Sequence, residues 1–261
     1  ANTVALSSVT VSALRANEDT PMAFTNTSEE ELNKQNLGKD LPVLLRFLPN
    51  VVTTSDAGAG VGYTGIRVRG SDATRVNVTI NGIAYNDAES HGTFWVNLSD
   101  FASSVSDLQL QRGVGTSTNG AAAFGASLNI NTTEPSQDAY ALLSSSAGSF
   151  NTFKNTVKFS TGLSKSGFEF SGRLSGITSD GYIDRASSNL KGYFLQGTYS
   201  SVNTKIKGLT FGGHERTYQA WYGVTADTLS VNRTYNPAGE QYDEAGVLEG
   251  YYNDQVDNYN Q

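Results

Sequence analysis

The stretch richest in chemically active side chains covers residues 86–97, NDAESHGTFWVN. It holds His91 and Trp95, each one of only two residues of its type in the 261-residue chain, together with two carboxylates. Acid–base or nucleophilic catalysis needs a nucleophile, a base and a group that orients the base, and this stretch offers no plausible trio beyond what chance provides. Two histidines in the whole chain also argue against a histidine-rich zinc site.

Ligand binding is the remaining chemistry for this stretch. Its polar and aromatic side chains predict an exposed loop that contacts a ligand, and the candidates are Asn86, Asp87, Glu89, His91, Phe94 and Trp95. In the alternative interpretation, the two aromatic residues pack into a core and the two carboxylates are only solvated.

A glycine-rich turn, residues 112–125, lies between two stretches with strand-like alternation, 105–111 and 126–132. A phosphate loop would need a different spacing, because Gly113 and Gly115 are followed only by Gly120 and no Gly-Lys-Ser/Thr occurs. The small side chains of this turn instead allow its backbone to lie close against another surface.

The composition indicates a β-rich chain, with 27 glycines, 13 tyrosines, 12 phenylalanines and one methionine. The absence of cysteine excludes disulfide frameworks and thiolate metal sites. A net charge of −7 argues against nucleic acid or an anionic membrane surface as the main partner. We find no apolar run of about 18 residues and no signal peptide, but the weak alternation of a transmembrane barrel remains allowed.

Two short helices and a pair of strands are predicted before the glycine-rich turn. Residues 28–31, SEEE, form a capping box for a helix that extends to Asn36. Asp40 is predicted to cap a second helix that Pro49 ends, and Asn50 tolerates the left-handed conformation of a following turn. The apolar stripe of this second helix consists of Leu41, Leu44, Leu45 and Leu48. Residues 66–70, IRVRG, and 75–82, RVNVTING, read as adjacent strands.

These segments resemble the plug domain of TonB-dependent outer-membrane receptors. DLPVLLRFLPNV is similar to the plug pattern L-x-x-L-L-x-x-x-P-G-V, and the two strands are similar to I-x-I-R-G and R-x-x-V-x-I-D-G-V-P. The glycine-rich turn is similar to R-G-P-x-S-x-x-Y-G-x-x-A-x-G-G-x-I-N-I, from which it departs at Val114, Asn119 and Ala126. The residues that carry the plug motif are Arg67, Arg69, Gly70, Arg75, Gly82, Arg112, Gly113, Gly120 and Gly125.

The resemblance implies roles for several of these residues. The four arginines would face a barrel wall and bind its carboxylates, unless they are ordinary solvated strand residues. Residues 86–95 would form a loop at the plug apex. A TonB box, the segment that adds a strand to a periplasmic energy transducer, is implied near the N-terminus, where an ordinary first strand is the alternative. Its residues are Val9, Thr10, Val11, Ser12 and Ala13.

After residue 135 the chain predicts five alternating strands, at about 139–148, 154–163, 168–176, 193–201 and 205–213, with a bulge near Gly208 because Leu209 breaks the alternation. Short and long connections alternate, which places residues 177–192 and the segment after His214 outside the cell. A soluble β-sandwich would give the same alternation. Five strands cannot close a barrel, since even the smallest membrane barrels have about eight. The resemblance implies a barrel of about 22 strands, so we expect the rest of the barrel as a partner.

The predicted fold class is an α+β plug domain, a small mixed sheet with short helices, followed by antiparallel strands of an incomplete transmembrane β-barrel. The expected domains are a TonB-box linker at 1–20, a plug at 21–135 and the opening of the barrel at 136–261. The resemblance implies TonB-energised uptake of a scarce nutrient, such as an iron-siderophore complex, cobalamin or an oligosaccharide, across the outer membrane of a Gram-negative bacterium. It implies no enzyme activity, no cofactor and no nucleic acid, and contact with outer-membrane lipid.

The alternative function is that of a secreted β-rich adhesin or glycan-binding module. On either reading the segment after residue 213 is expected to contact ligand, with Trp221 and Tyr222 as its first candidates. Further tyrosines and carboxylates follow in that segment, and such a mixture suits a neutral, sugar-like or cationic ligand better than an acidic one. Solvated barrel loops and interfacial girdles also contain such residues.

Overall fold

The structure is a computed structural model that describes residues 14–115, 120–252 and 255–260. The predicted TonB box, residues 9–13, lies outside the described residues. The strands of the first part are β1 (Ala23–Ser28), β2 (Val51–Ser55), β3 (Thr64–Val68), β4 (Val76–Ile80), β5 (Ile83–Ala84), β6 (Val105–Arg112) and β7 (Ala126–Thr132), with helices α1 (Glu29–Gln35) and α2 (Leu41–Leu44). Short 3₁₀ helices cover Ala73–Arg75, Trp95–Leu98 and Phe101–Ser104.

The second part contains the longer strands. They are β8 (Tyr140–Gly148), β9 (Thr152–Ser160), β10 (Phe168–Ser179), β11 (Ser188–Ser200), β12 (Lys205–Tyr218), β13 (Glu240–Tyr242), β14 (Leu248–Tyr251) and β15 (Gln255–Asn260), with helix α3 (Ala226–Val231). None of the helices in the described ranges has the length and apolar character needed to cross a membrane.

The first sheet has the strand order β1-β6-β7-β4-β5, in which β4 and β7 are parallel and the other pairs are antiparallel. β6 and β7, which flank the glycine-rich turn, therefore lie at its centre. Leu108, Leu110 and Leu128 from these two strands are fully buried in the hydrophobic core. β2 and β3 form a separate antiparallel hairpin beside this sheet.

The capping box predicted for α1 is confirmed. Ser28 Oγ accepts the backbone N–H of Glu31 at 3.3 Å, and the Glu31 carboxylate accepts the backbone N–H of Ser28 at 2.8 Å. These reciprocal bonds satisfy two amide groups that a helix N-terminus leaves free. The helix ends at Gln35, one residue before the predicted end.

The second predicted helix is shorter than expected and its cap was wrong. α2 ends at Leu44, and the Asp40 side chain makes no capping bond. Asp40 is instead buried, and its Oδ2 accepts a hydrogen bond from Thr64 Oγ1 at 2.9 Å. A contact in the neighbouring hairpin thus replaces the local cap. Asn50 has φ +63°, so the predicted left-handed residue is confirmed.

The second sheet is antiparallel, with the order β15-β12-β11-β10-β9-β8. The five predicted strands are all present, although several are longer, and β15 is a sixth that the sequence did not predict. Along β10, Phe168, Phe170 and Leu174 are exposed, whereas Glu169 and Arg173 on the opposite face are buried. This alternation matches the predicted outward apolar and inward polar faces.

The bulge predicted near Gly208 is absent. β11 and β12 pair without interruption from Ser200 opposite Lys205 to Ser188 opposite Thr217. Leu209 breaks the sequence alternation because it lies on the inner face, where it and Phe211 pack against the core of the first sheet. An apolar residue on this inner face is stabilised by the neighbouring sheet, so no extra residue is needed to reorient it.

Three connections of the second sheet lie at the same end of it, as the predicted alternation of connections requires. Asp180 N donates to Phe150 O at 2.8 Å, and the rings of Phe150 and Tyr182 are 5.6 Å apart. We call this end, formed by residues 149–151, 180–187 and 219–252, the loop end. The short turns at 161–167 and 201–204 lie between the other strand ends.

Candidate functional site

A buried ion cluster joins the two sheets. Asp100, in the segment before β6, places Oδ1 2.6 Å from Lys154 Nζ on β9, and its Oδ2 lies 3.5 Å from Arg173 Nη1 on β10. The side chains of the three residues are 0–4% exposed. Asp100 has φ +50°, a left-handed conformation that non-glycine residues rarely adopt. Burial opposes ionisation, but the charges of Arg173 and Lys154 hold the pKa of Asp100 below its ordinary value.

Neutral donors complete the shell around this carboxylate. Ser103 Oγ donates to Asp100 Oδ1 at 2.6 Å, and Thr156 Oγ1 donates to Asp100 Oδ2 at 2.8 Å. Lys154 Nζ also donates to Asn36 Oδ1 at 2.8 Å, which ties the end of α1 to the same cluster. Burying charges costs free energy unless they are paired and hydrogen-bonded, and here Asp100 pairs with both cations and accepts two hydroxyl donors.

Two further groups of ion pairs also join a carboxylate that precedes β8 to lysines of the second sheet. Lys158 on β9 pairs with Glu29 at 3.2 Å, and Lys205 and Lys207 on β12 both pair with Glu134. In all three groups the carboxylate precedes β8 and the cations lie on the second sheet. These three groups are opposite in polarity to the predicted contact, in which arginines of the first part bind wall carboxylates.

The four predicted arginines lie elsewhere. Arg112 Nε donates to Pro49 O at 3.0 Å and its guanidinium also bonds Thr25 Oγ1, while Arg75 lies 3.9 Å from Asp72. Both sets of partners belong to the first part of the chain, and a wall contact of these two arginines stays a prediction. Arg67 and Arg69 are exposed, and their contact with a wall stays a prediction.

The described residues of the glycine-rich turn, 112–115 and 120–125, pack closely, as its composition predicted. A Cβ on Gly125 would lie 2.4 Å from the Cβ of Ser71, and Gly113 has φ +100°. Gly113 N donates to Gly125 O at 2.8 Å, and Gly125 N donates to Arg75 O at 2.8 Å. The backbone of this turn is therefore hydrogen-bonded to the residue that precedes β4. The remaining motif glycines, Gly70, Gly82 and Gly120, all have positive φ.

The loop at 86–95 is largely structural. Asn86 Oδ1 accepts Val78 N at 2.7 Å and its Nδ2 donates to Val76 O at 2.9 Å, so this side chain completes the sheet edge beyond β5. Asp87 caps the loop, and hydrogen bonds from the backbone and hydroxyl of Ser90 hold the pKa of Asp87 below its ordinary value. Asn86 is thereby occupied by backbone partners.

The aromatic residues of this loop divide between core and solvent. Trp95 is only 2% exposed and belongs to the hydrophobic core, so its prediction as a ligand contact was wrong and the packing alternative holds for it. Phe94 is 51% exposed, and His91, with φ +60°, and Glu89 are exposed too. These three side chains remain available to a ligand.

The loop between β2 and β3, residues 56–63, reaches the loop end of the second sheet. The backbone N–H groups of Tyr182 and Ile183 both donate to Ala57 O, at 2.8 and 3.2 Å. A Cβ on Gly58 would lie 2.9 Å from Tyr182 Cβ, which shows how close the two loops are. Sequence reasoning did not assign this contact, although the density of glycines at 58–65 was a signal for close approach.

Trp221 and Tyr222 lie at the loop end and are each 55% exposed. The ring of Trp221 is 6.3 Å from that of Tyr63, and the two residues line a cleft with Asp56. The structure thus brings one predicted aromatic candidate, Trp221, to loop 56–63, whereas Tyr222 lies at a different cavity of the loop end. Within the described residues no group of three or more histidines and carboxylates could hold a metal ion.

A cavity of about 590 Å³ lies between the turn after β4 and the first half of β12. Ile80, Tyr85 and Phe211 form its apolar wall, and Lys207 and Glu134 form a polar rim. Together these features define an architecture in which a small mixed sheet is fastened by buried charges to an antiparallel sheet with an apolar outer face.

The comparisons with known proteins agree with this architecture. Residues 16–127 match the family model of the TonB-dependent receptor plug domain. A comparison with curated protein sequences gives no match. Residues 16–127 therefore form a plug domain of the TonB-dependent receptor family, and we refer to the first part of the chain as the plug.

Solved structures show the same fold over most of the chain. The ferric yersiniabactin uptake receptor FyuA from Yersinia pestis is similar with a TM-score of 0.65 and 15% identity, over 83% of this chain and 35% of that one. The ferric citrate transporter FecA gives 0.65 and 17%, over 84% and 35%. The copper transporter OprC gives 0.61 and 16%, over 77% and 31%. The chain thus spans about a third of the length of these proteins.

Proposed function

We propose that the chain works in TonB-energised uptake of a small nutrient across the outer membrane of a Gram-negative bacterium, with the plug blocking the pore inside a transmembrane wall. The observation that carries the proposal is the buried cluster of Asp100, Lys154 and Arg173. It fastens a plug domain to the inner face of a sheet whose outer face is apolar. The remaining strands of the wall and outer-membrane lipid are the partners that this arrangement requires.

The outer face of the second sheet supports contact with lipid. Phe168, Phe170, Leu174 and Ile206 are each at least 45% exposed although they lie in regular strands. A row of apolar side chains facing water would cost free energy, whereas the same row facing hydrocarbon is stabilising. The inner face carries Lys154, Arg173 and other polar residues that bind the plug, as in a wall around an occluded pore.

The loop end supports ligand capture outside the cell. Trp221 and Tyr222 are exposed there, and loop 56–63 of the plug contributes Tyr63 beside Trp221. A ligand in this position would contact the plug and the wall loops at once, which would couple its binding to the plug. The segment from residue 219 to residue 252 contains five carboxylates and one arginine. A neutral or cationic ligand therefore fits this segment better than an acidic one.

Energised transport requires a partner in the periplasm, and we assign its contact to Val9, Thr10, Val11, Ser12 and Ala13. This segment is β-prone and uncharged, as strand addition to a partner requires. Proline removes a backbone donor and prevents such pairing at its position. The domain limits 1–20, 21–135 and 136–261 belong to the same proposal.

The test is uptake of radiolabelled ferric siderophores, cobalamin and oligosaccharides by cells that express the full-length receptor. Val11→Pro should abolish energised uptake of the transported compound while its binding to the cell surface is unchanged. Val4→Pro, outside the segment, is the matched control and should transport normally. Unchanged uptake in Val11→Pro would move the partner site elsewhere, and absence of energised uptake of any compound would refute the transport function.

A further inference from the structure

The loop end contains a second cavity, of about 430 Å³, which is separate from the cleft beside Trp221. Its lining residues are Tyr222, Pro237, Gly239, Glu240 and Tyr252. The volume falls within the range of roughly 300–1,000 Å³ that is usual for small-molecule pockets. Tyr222 and Tyr252 are 55% and 65% exposed, so both rings are accessible from solvent.

Hydrogen bonds fix the carboxylate of this cavity in one orientation. Glu240 Oε2 accepts the hydroxyl of Tyr235 at 2.9 Å and the hydroxyl of Tyr242 at 2.5 Å. Within the described residues, the hydrogen bonds of this carboxylate all use Oε2 and leave Oε1 for another donor. Two bonds on one oxygen preorganise the group, which lowers the entropy cost of binding.

The backbone around the cavity is also held in place. Tyr218 OH donates to Tyr252 O at 2.9 Å and to Ala238 O at 3.3 Å. Arg185 donates to Ala238 O at 3.1 Å, and its guanidinium lies 3.7 Å from the ring centroid of Tyr251. Gly239 has φ +78°, and a Cβ there would lie 2.9 Å from Tyr252 O, so only glycine fits between these elements.

We infer that this cavity is a binding site for neutral sugar rings, with the faces of Tyr222 and Tyr252 stacking on the ligand and Glu240 Oε1 accepting its hydroxyl groups. The inference rests on the proposed function and specifies the ligand class. Aromatic faces carry partial negative charge and attract the C–H groups of a sugar ring. A carboxylate is acceptor-only and suits hydroxyl donors.

A cationic ligand would gain less binding free energy in this cavity than a neutral sugar. Only one of the five carboxylates between residues 219 and 252 lines the cavity, and that one is partly accessible to solvent, where ion pairs contribute little. An acidic ligand would be repelled by the same carboxylates. Two accessible ring faces, by contrast, offer apolar area whose burial favours binding regardless of salt.

The experiment is isothermal titration calorimetry on the purified full-length protein in detergent, with maltotriose, cellotriose and xylotriose as neutral probes and spermidine and citrate as charged ones. We expect at least one trisaccharide to bind. Tyr222→Ala and Tyr252→Ala should each weaken it at least tenfold, and Glu240→Gln by a similar factor. Glu249→Gln and Val247→Ala, in the same segment but outside the cavity, are the matched controls and should change the affinity less than twofold.

The two tyrosine variants should fold normally, because both side chains are more than half exposed. Tyr252 accepts the hydrogen bond from Tyr218 through its backbone carbonyl, which the substitution keeps. Failure of all three trisaccharides to bind would overturn the inference, as would binding that Tyr222→Ala and Tyr252→Ala leave unchanged. Spermidine binding that Glu240→Gln removes would replace sugar with a cationic ligand. None of these results bears on energised uptake, so the proposed transport function can be correct even if the sugar site is not.

Discussion

Asp100 Oδ1 of the plug and Lys154 Nζ of strand β9 lie 2.6 Å apart in an ion pair from which water is almost fully excluded. Removal of one partner from such a pair leaves the other charge buried and uncompensated. We predict that Asp100→Asn lowers the free energy of unfolding by about 3–5 kcal/mol. Chemical denaturation of the purified protein measures this value.

The control for that prediction is the pair of Glu29 and Lys158, whose glutamate side chain is 41% exposed. Exposed pairs contribute about 0–1 kcal/mol, so Glu29→Gln should be close to wild type. Equal losses in Asp100→Asn and Glu29→Gln would show that burial of the cluster does not determine its contribution.

Asp40 gives a prediction that depends on pH. Burial raises its pKa well above the ordinary 3.8, the charges of Glu215 and Asp100 raise it further, and the bond from Thr64 opposes them. A raised carboxyl pKa means that the folded state favours the neutral form, so its stabilising contribution is complete below pH 3.8 and is lost as the pH rises through the folded pKa. Asp40→Asn, which is always neutral, should therefore gain stability relative to wild type between pH 4 and pH 8.

Thermal unfolding of wild type and Asp40→Asn at these two pH values tests the sign. The exposed Asp138→Asn serves as the control and should show no such change in its difference from wild type. A difference between Asp40→Asn and wild type that is the same at both pH values would mean that Asp40 ionises freely in the folded protein.

Trp95 and His91 should respond differently to truncation although only three residues separate them. Trp95 is buried in the plug core, and Trp95→Ala should cost about 3–5 kcal/mol of stability because it leaves a large cavity. His91 is exposed, so His91→Ala should fold normally. Thermal unfolding, together with the amount of each variant recovered in the outer membrane, distinguishes the two; a Trp95→Ala variant with wild-type stability would contradict this placement.

Gly125 cannot accept a side chain without movement of its neighbours. Its Cβ would lie 2.4 Å from Ser71 Cβ and 3.1 Å from Arg75 O, so Gly125→Val should impair folding of the plug and lower uptake. Gly197 on β11 has open space at the same position, and Gly197→Val is the control that should be tolerated. Protease resistance of the plug in membrane fractions reports both results, and a resistant Gly125→Val would show that Ser71 can move aside.

Local signals in the sequence predicted local structure well. The SEEE capping box, the left-handed Asn50 and the tight glycine-rich turn each depend on residues a few positions apart, and each is confirmed. The alternation of β10 likewise predicted which side chains face outward. The plug motifs added the fold class, which the family model for residues 16–127 confirms.

Contacts between distant segments could not be predicted in the same way. Asp40 was assigned as a cap because the sequence shows the helix beside it but not Thr64 on the neighbouring hairpin. Leu209 suggested a bulge because the plug surface that covers it is not visible in the strand's own pattern. Asp100 carried no signal at all, since its charge partners follow on two later strands.

The strand order of the two sheets has a consequence for how the chain folds. Every pair from β8 to β12 joins neighbours in sequence, as in Gly148 opposite Thr152, whereas the plug pairs β1 with β6, with Ala23 opposite Arg112. Local pairing forms quickly and distant pairing slowly, because the entropy of closing a long loop must be overcome first. The pairing of β1 with β6 is therefore expected to form later than the pairing of β8 to β12, although the plug strands leave the ribosome first.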